Sequence, residues 1–210
     1  MVNKLKRHLT LTFIIVAIII FSSGILIGRT LSIDSSNTIE SLLTESEISV
    51  ESYLLEKSLL ENLGRDSCKF SKQRLADLSD ELGKIGRNLV DMDNEKNDIK
   101  YLLKKKYHTM QIKAYLMHHK ISELCGKTNT ILFYYGDDSD SIDQGKILDE
   151  IVENFNVSVF AIEYNYIDSL SFVEDYYDVQ STPFLVINFN TSLDGIQSYE
   201  NIEQVIKNGN

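Results

Sequence analysis

The chain has one proline in 210 residues, Pro183, and two cysteines, Cys68 and Cys125. There is no Cys-x-x-Cys pair, so the sequence sets up no thiolate nucleophile with a neighbouring resolving thiol. It has no Gly-rich phosphate loop and no Ser/His/Asp set at recognisable spacing. His118 and His119 are adjacent, and on a helix adjacent side chains diverge by about 100°, which rules out chelation from one face. Both are expected at the surface. The acidic run Asp137, Asp138, Asp140 and Asp143 lacks the glycine and the final glutamate of a calcium loop. Ser141 with Gln144 reads there as a capping box. No catalytic residue, metal or cofactor is therefore assigned. Basic residues are nearly missing from the last third: from Asn129 onward there are fifteen acidic residues against two lysines, in a chain of formal net charge −10. That excludes nucleic acid as a partner of this region.

The first segment that is present is apolar. Residues 9–27 (LTLTFIIVAIIIFSSGILI) carry no charge, and about 20 such residues span a bilayer as a helix. Lys4, Lys6 and Arg7 precede them, so residues 1–8 are expected as a cytoplasmic tail. The chain beyond about residue 30 is then extracytoplasmic. The partner implied is the lipid bilayer of the cell membrane, in single-pass topology. A cleaved signal peptide is the alternative, but its apolar region would be shorter, and Ser22-Ser23-Gly24 lies inside the run.

Residues 38–126 are expected to form a helical stalk. Leu75, Leu78, Leu82, Ile85 and Leu89 recur at spacings of three and four, as do Ile99, Leu103, Tyr107, Met110, Ala114, Met117, Ile121 and Leu124. Two such stripes separated by the polar break DMDNEKN predict an antiparallel hairpin. Cys68 opens the first arm and Cys125 closes the second, nearly symmetric about the break. The hairpin thus brings them within disulfide range, although two unpaired cysteines remain the alternative. Lys104, Lys105 and Lys106 read as a solvated face.

Residues 129–208 alternate between apolar runs and amphipathic stretches. Strands are expected at Ile131–Tyr135, Val157–Tyr164, Phe184–Ile187 and Ile196–Tyr199, with a turn from Asn190 to Gly195. Helices are expected at Ile142–Phe155, Ile167–Tyr177 and Ile202–Lys207. The order is β-α-β-α-β-β-α, giving an α+β chain overall. Pro183 opens a buried strand, where it cannot donate to the ladder. On local grounds both cis and trans are open at Thr182-Pro183.

The element order, and the stretch DYYDVQSTPFLVIN in particular, resembles the thioredoxin family over residues 129–208. The resemblance implies a cis Pro183 and a groove that holds an extended polypeptide beside it. It also implies that Asp138 and Ser141 stand near the two positions where redox-active members carry cysteine. A carboxylate and a hydroxyl cannot exchange disulfides, so the family's activity does not carry over. The expectation is a protein- or peptide-binding module with a groove at Thr182 and Pro183, flanked by Tyr135, Asp138 and Ser141. Two alternatives stand beside it: a thiol oxidoreductase using Cys68 and Cys125 or a partner's thiol, and a structural protein acting through its helical hairpin.

Overall fold

The computed structural model describes residues 68–92 and 98–209 continuously, together with Ser52, Leu55, Lys57, Ser58 and Asn62, which are helical. All of them belong to one compact unit, residues 52–210. The apolar stretch 9–27 and the tail before it lie outside the described residues, as do most of 38–67 and residues 93–97. Among the described residues no helix is long and apolar enough to cross a membrane.

Two helices come first, α1 (Cys68–Asp91) and α2 (Asp98–Cys125). They pack side by side, and Cys68 and Cys125 are joined by a disulfide across the open end, with Cα atoms 5.6 Å apart. Leu78, Leu82 and Ile85 of α1 are buried, as the spacing predicts.

The rest is β1 (Asn129–Tyr135), α3 (Ser139–Asn154), β2 (Val157–Glu163), a 3-10 turn at Asp168–Leu170 running into α4 (Ser171–Tyr177), β3 (Phe184–Ile187), β4 (Thr191–Asp194) and α5 (Tyr199–Asn208). The strands form one mixed sheet in the order β2-β1-β3-β4. β1 and β2 are parallel, with Leu132 opposite Phe160. β3 runs antiparallel to both β1 and β4, with Leu132 opposite Val186 and Leu185 opposite Leu193.

Each face of the sheet carries its own core. On one, Ile131, Phe133, Leu185 and Ile187 meet Leu148 and Ile151 of α3 and Ile202 and Ile206 of α5. On the other, Leu132, Tyr134, Phe160 and Val186 meet Val173 of α4 and also Leu78, Leu82, Ile85, Met110 and Tyr115 of the hairpin. The hairpin expected as a stalk is thus, over its described length, one outer layer of an α/β/α sandwich.

This docking gives α2 a second buried stripe. His108, Gln111, Ile112, Tyr115 and His118 are buried alongside Met110, Ala114, Met117 and Ile121. The expectation of two surface histidines therefore fails for His118, which is 8 % exposed with its ring against Phe160, centroids 5.3 Å apart; His119 is exposed. The lysine run is not a plain solvated face either. Lys104 pairs with Glu163 and lies over the Tyr166 ring, and Lys106 approaches Glu81 at 3.7 Å.

Two boundaries in the second half also differ. The hairpin turn lies at Asn188–Asn190, where Asn188 and Phe189 both take positive φ (51° and 69°), so Thr191–Asp194 becomes the strand and Ile196–Tyr199 does not. Asparagine adopts that conformation readily and phenylalanine seldom does. The Phe189 ring packs on Tyr115 at 4.9 Å and on His119 at 4.5 Å, contacts that hold it there. In α3 the buried residues are Ser141, Gln144, Leu148 and Ile151, whereas Ile142, expected inside, is 60 % exposed.

Candidate functional site

Three loops converge at one end of the sheet: the β1–α3 turn, the segment leading into β3, and the segment after β4. The Thr182-Pro183 peptide is cis. Asp138 is the N-cap of α3, and its Oδ1 accepts from the Ser141 backbone N–H at 2.7 Å. Its Oδ2 accepts from Ser141 Oγ at 2.7 Å and from Thr182 Oγ1 at 2.9 Å. Ser141 Oγ in turn accepts from the Gly136 N–H at 3.0 Å. The cap is therefore Asp138 with Ser141 at the third helical position, in place of the Ser141–Gln144 box expected. Acidic side chains prefer this position because they meet the free N–H groups of the first turn.

The approach requires glycine at position 136. A Cβ there would stand 2.7 Å from Thr182 Oγ1 and 2.9 Å from Asp138 Oδ2. The bonds donated by the Ser141 hydroxyl and backbone N–H, with a smaller one from Thr182, hold the Asp138 carboxyl below the usual aspartate range. Ser141 is buried, and its hydroxyl is engaged both as donor to Asp138 and as acceptor from Gly136.

The third loop was not foreseen. The Gly195 N–H donates to Pro183 O at 2.9 Å, and the Gln197 N–H donates to Oε1 of the fully buried Gln144 at 2.7 Å. Ser181 Oγ donates to Asp194 Oδ1 at 2.5 Å. Between these ties two apolar side chains face outward, Ile142 at 60 % and Ile196 at 47 % exposure. In the sequence Ile142 reads as part of the apolar stripe of its helix, Ile196 as the start of a strand and Gln144 as a capping residue, while Gln197 carries no signal.

Of the five groove residues expected, Thr182, Pro183, Asp138 and Ser141 are brought together. Tyr135 is not shown to join them: its ring lies 6.4 Å from that of His108 on α2 and 5.8 Å from Phe133. Among the described residues, neither the N–H nor the C=O of Thr182 is hydrogen-bonded to other backbone. No group of three His, Cys, Asp or Glu among the described residues is placed to hold a metal ion.

Thr182→Val keeps the shape and removes one donor to a carboxylate that retains others. The expected cost is about 0.5–1 kcal/mol, seen as a slightly lower melting temperature of the full chain. No change at all would mean the Thr182–Asp138 bond contributes nothing in solution.

No family model matches the chain, and no curated protein matches it. Among solved structures, one described as "Structure of a malarial protein" is similar at 15 % identity over 39 % of this chain and 97 % of that one, with a TM-score of 0.34. A likeness that slight carries no functional argument.

Proposed function

We propose that this chain is a membrane-anchored, extracytoplasmic thioredoxin-like protein without redox activity, and that its Thr182–Pro183 loop binds an extended segment of a partner protein. The sheet order β2-β1-β3-β4, with α3 and α5 on one face and α4 on the other, supports the thioredoxin-like reading. So does a cis proline facing the N-terminus of α3.

The observation that carries the binding role is the open backbone of Thr182, set between a pinned helix N-terminus and the exposed Ile142 and Ile196. Free backbone groups beside apolar side chains suit recognition of an extended chain, with main-chain pairing giving affinity and side chains giving selectivity. Asp138 and Ser141 lock the groove's wall and leave no thiol chemistry at that position.

The test is site-directed photocrosslinking of the full chain in its native membrane. A photoreactive residue at Ile142 or Ile196 is expected to capture a polypeptide. The same residue at Val152, exposed further along α3, is expected to capture none. Equal capture at all three positions, or none at any, would defeat the groove. Insulin reduction that depends on Cys68 or Cys125 would instead favour an oxidoreductase.

A further inference from the structure

Two asparagines of the chain, Asn156 and Asn190, open an Asn-x-Ser/Thr triplet: Asn156-Val157-Ser158 and Asn190-Thr191-Ser192. Such triplets accept N-linked glycans in segments carried across a membrane. The fold puts one triplet at each edge of the sheet. β2 and β4 are the two edge strands, each paired on one side only. Asn156 is the residue immediately before β2, and Asn190 the residue immediately before β4. Both asparagines are exposed, and the serine of each triplet lies on the edge strand itself.

The two acceptors also share one end of the sheet. β1 and β2 begin together, with Asn129 opposite Val157, and Ile187 at the close of β3 stands opposite both Ile131 and Thr191. Thr182 and Pro183 precede Phe184, which pairs with Tyr134 at the other end. A glycan at either asparagine therefore stands away from the Thr182 loop. At Asn190 the atom engaged is Oδ1, which accepts from Thr191 Oγ1 at 3.2 Å, and not the amide nitrogen that a sugar would take.

An unpaired strand edge offers its N–H and C=O groups to another chain, and proteins block such edges with charge, proline, bulges or a cover. β2 (VSVFAIE) carries one charge, Glu163, and β4 (TSLD) carries one, Asp194, each on the last residue of its strand. The uncharged starts of both strands are where the triplets fall.

We propose that Asn156 and Asn190 each carry an N-linked glycan, and that the pair covers the two open edges of the sheet at the end opposite Thr182. In the transfer, asparagine Nδ2 bonds to the anomeric carbon of a lipid-pyrophosphate-linked oligosaccharide. The anomeric C–O bond breaks, the lipid pyrophosphate leaves with the electron pair, and the amide nitrogen gives up one proton. Glycan addition requires the extracytoplasmic placement proposed above and is independent of the Thr182 groove.

The test is peptide mass spectrometry on the full chain isolated from its native membrane. Peptides containing Asn156 and Asn190 are expected at masses raised by a glycan, with loss of the unmodified peptide. Ser158→Ala should remove the glycan at Asn156 alone, and Ser192→Ala that at Asn190 alone. In parallel, a membrane-impermeant amine reagent is applied to intact cells, where the exposed Lys146 and Lys207 report the side on which the domain lies. Labelled lysines with bare asparagines would overturn the glycans and leave the placement standing. Unlabelled lysines with bare asparagines would overturn both. For the covering role, the full chain with Asn156→Gln/Asn190→Gln, in detergent, should shift to larger species than the glycosylated chain at equal concentration. The same association state in both would overturn that role.

Discussion

At pH 4 the protein is expected to have lost roughly 5 kcal/mol of the stability it has at pH 7, most of it through His108 and His118. Burial lowers both imidazoles from 6.5 to about 4, with Lys104 adding repulsion at His108 and the Ala161 backbone acting the other way there. Because the folded values lie below the unfolded one, the unfolded chain takes up protons first. Stability is intact above about pH 6.5, falls between 6.5 and 4, and levels off below 4, where both states are protonated. Each site supplies roughly 2–3 kcal/mol on the scale of 1.36 kcal/mol per pH unit. Glu174 opposes this in part. Burial raises its carboxyl above the ordinary glutamate value, so its cost is present at neutral pH and is relieved as pH falls through its folded value. Asp138 is depressed and adds a further loss only near and below the ordinary aspartate value. Thermal unfolding of the full chain at pH 7, 5.5 and 4 measures the slope. The double variant His108→Leu/His118→Leu should flatten it between 6.5 and 4. An unchanged slope in that variant would place the acid sensitivity elsewhere.

Opening the Cys68–Cys125 bond is the second large effect expected. The bond joins residues separated by 57 positions. On the chain-entropy account, closing such a loop restricts the unfolded chain by about 4 kcal/mol. Much of a typical stability of about 5–15 kcal/mol would go with it. The consequence reaches past the hairpin, since Leu78, Leu82 and Ile85 of α1 share a core with Leu132 and Phe160 of the sheet. Chemical denaturation of the full chain with and without reductant is expected to show a clear fall in midpoint, and Cys68→Ser/Cys125→Ser should reproduce it without reductant. A change equivalent to less than about 1 kcal/mol would mean that docking on the sheet, and not the covalent link, holds the hairpin closed.

The sequence by itself determined the elements whose side chains are uniform in kind. Leu75 to Leu89 and Ile99 to Leu124 repeat at helical spacing, so both hairpin arms were legible, and the near-symmetric cysteines made their pairing legible too. Ile131–Tyr135 and Phe184–Ile187 are continuous apolar runs with one plausible fate, burial in a central strand. Asp138 and Ser141 were set beside Thr182 and Pro183 by the resemblance to the thioredoxin family, not by spacing or periodicity. Only the tertiary structure decided the rest. It set α2 between α1 and the sheet, which buried His108, Gln111, Tyr115 and His118 in a stripe too polar to read as core. It buried Ser141 and Gln144 while turning Ile142 outward. It made a strand of the polar TSLD by pairing it with β3. The physical reason is common to all three. Apolar periodicity reports how a segment partitions between water and core on its own, whereas a polar residue becomes an interior residue only when another element arrives to cover it.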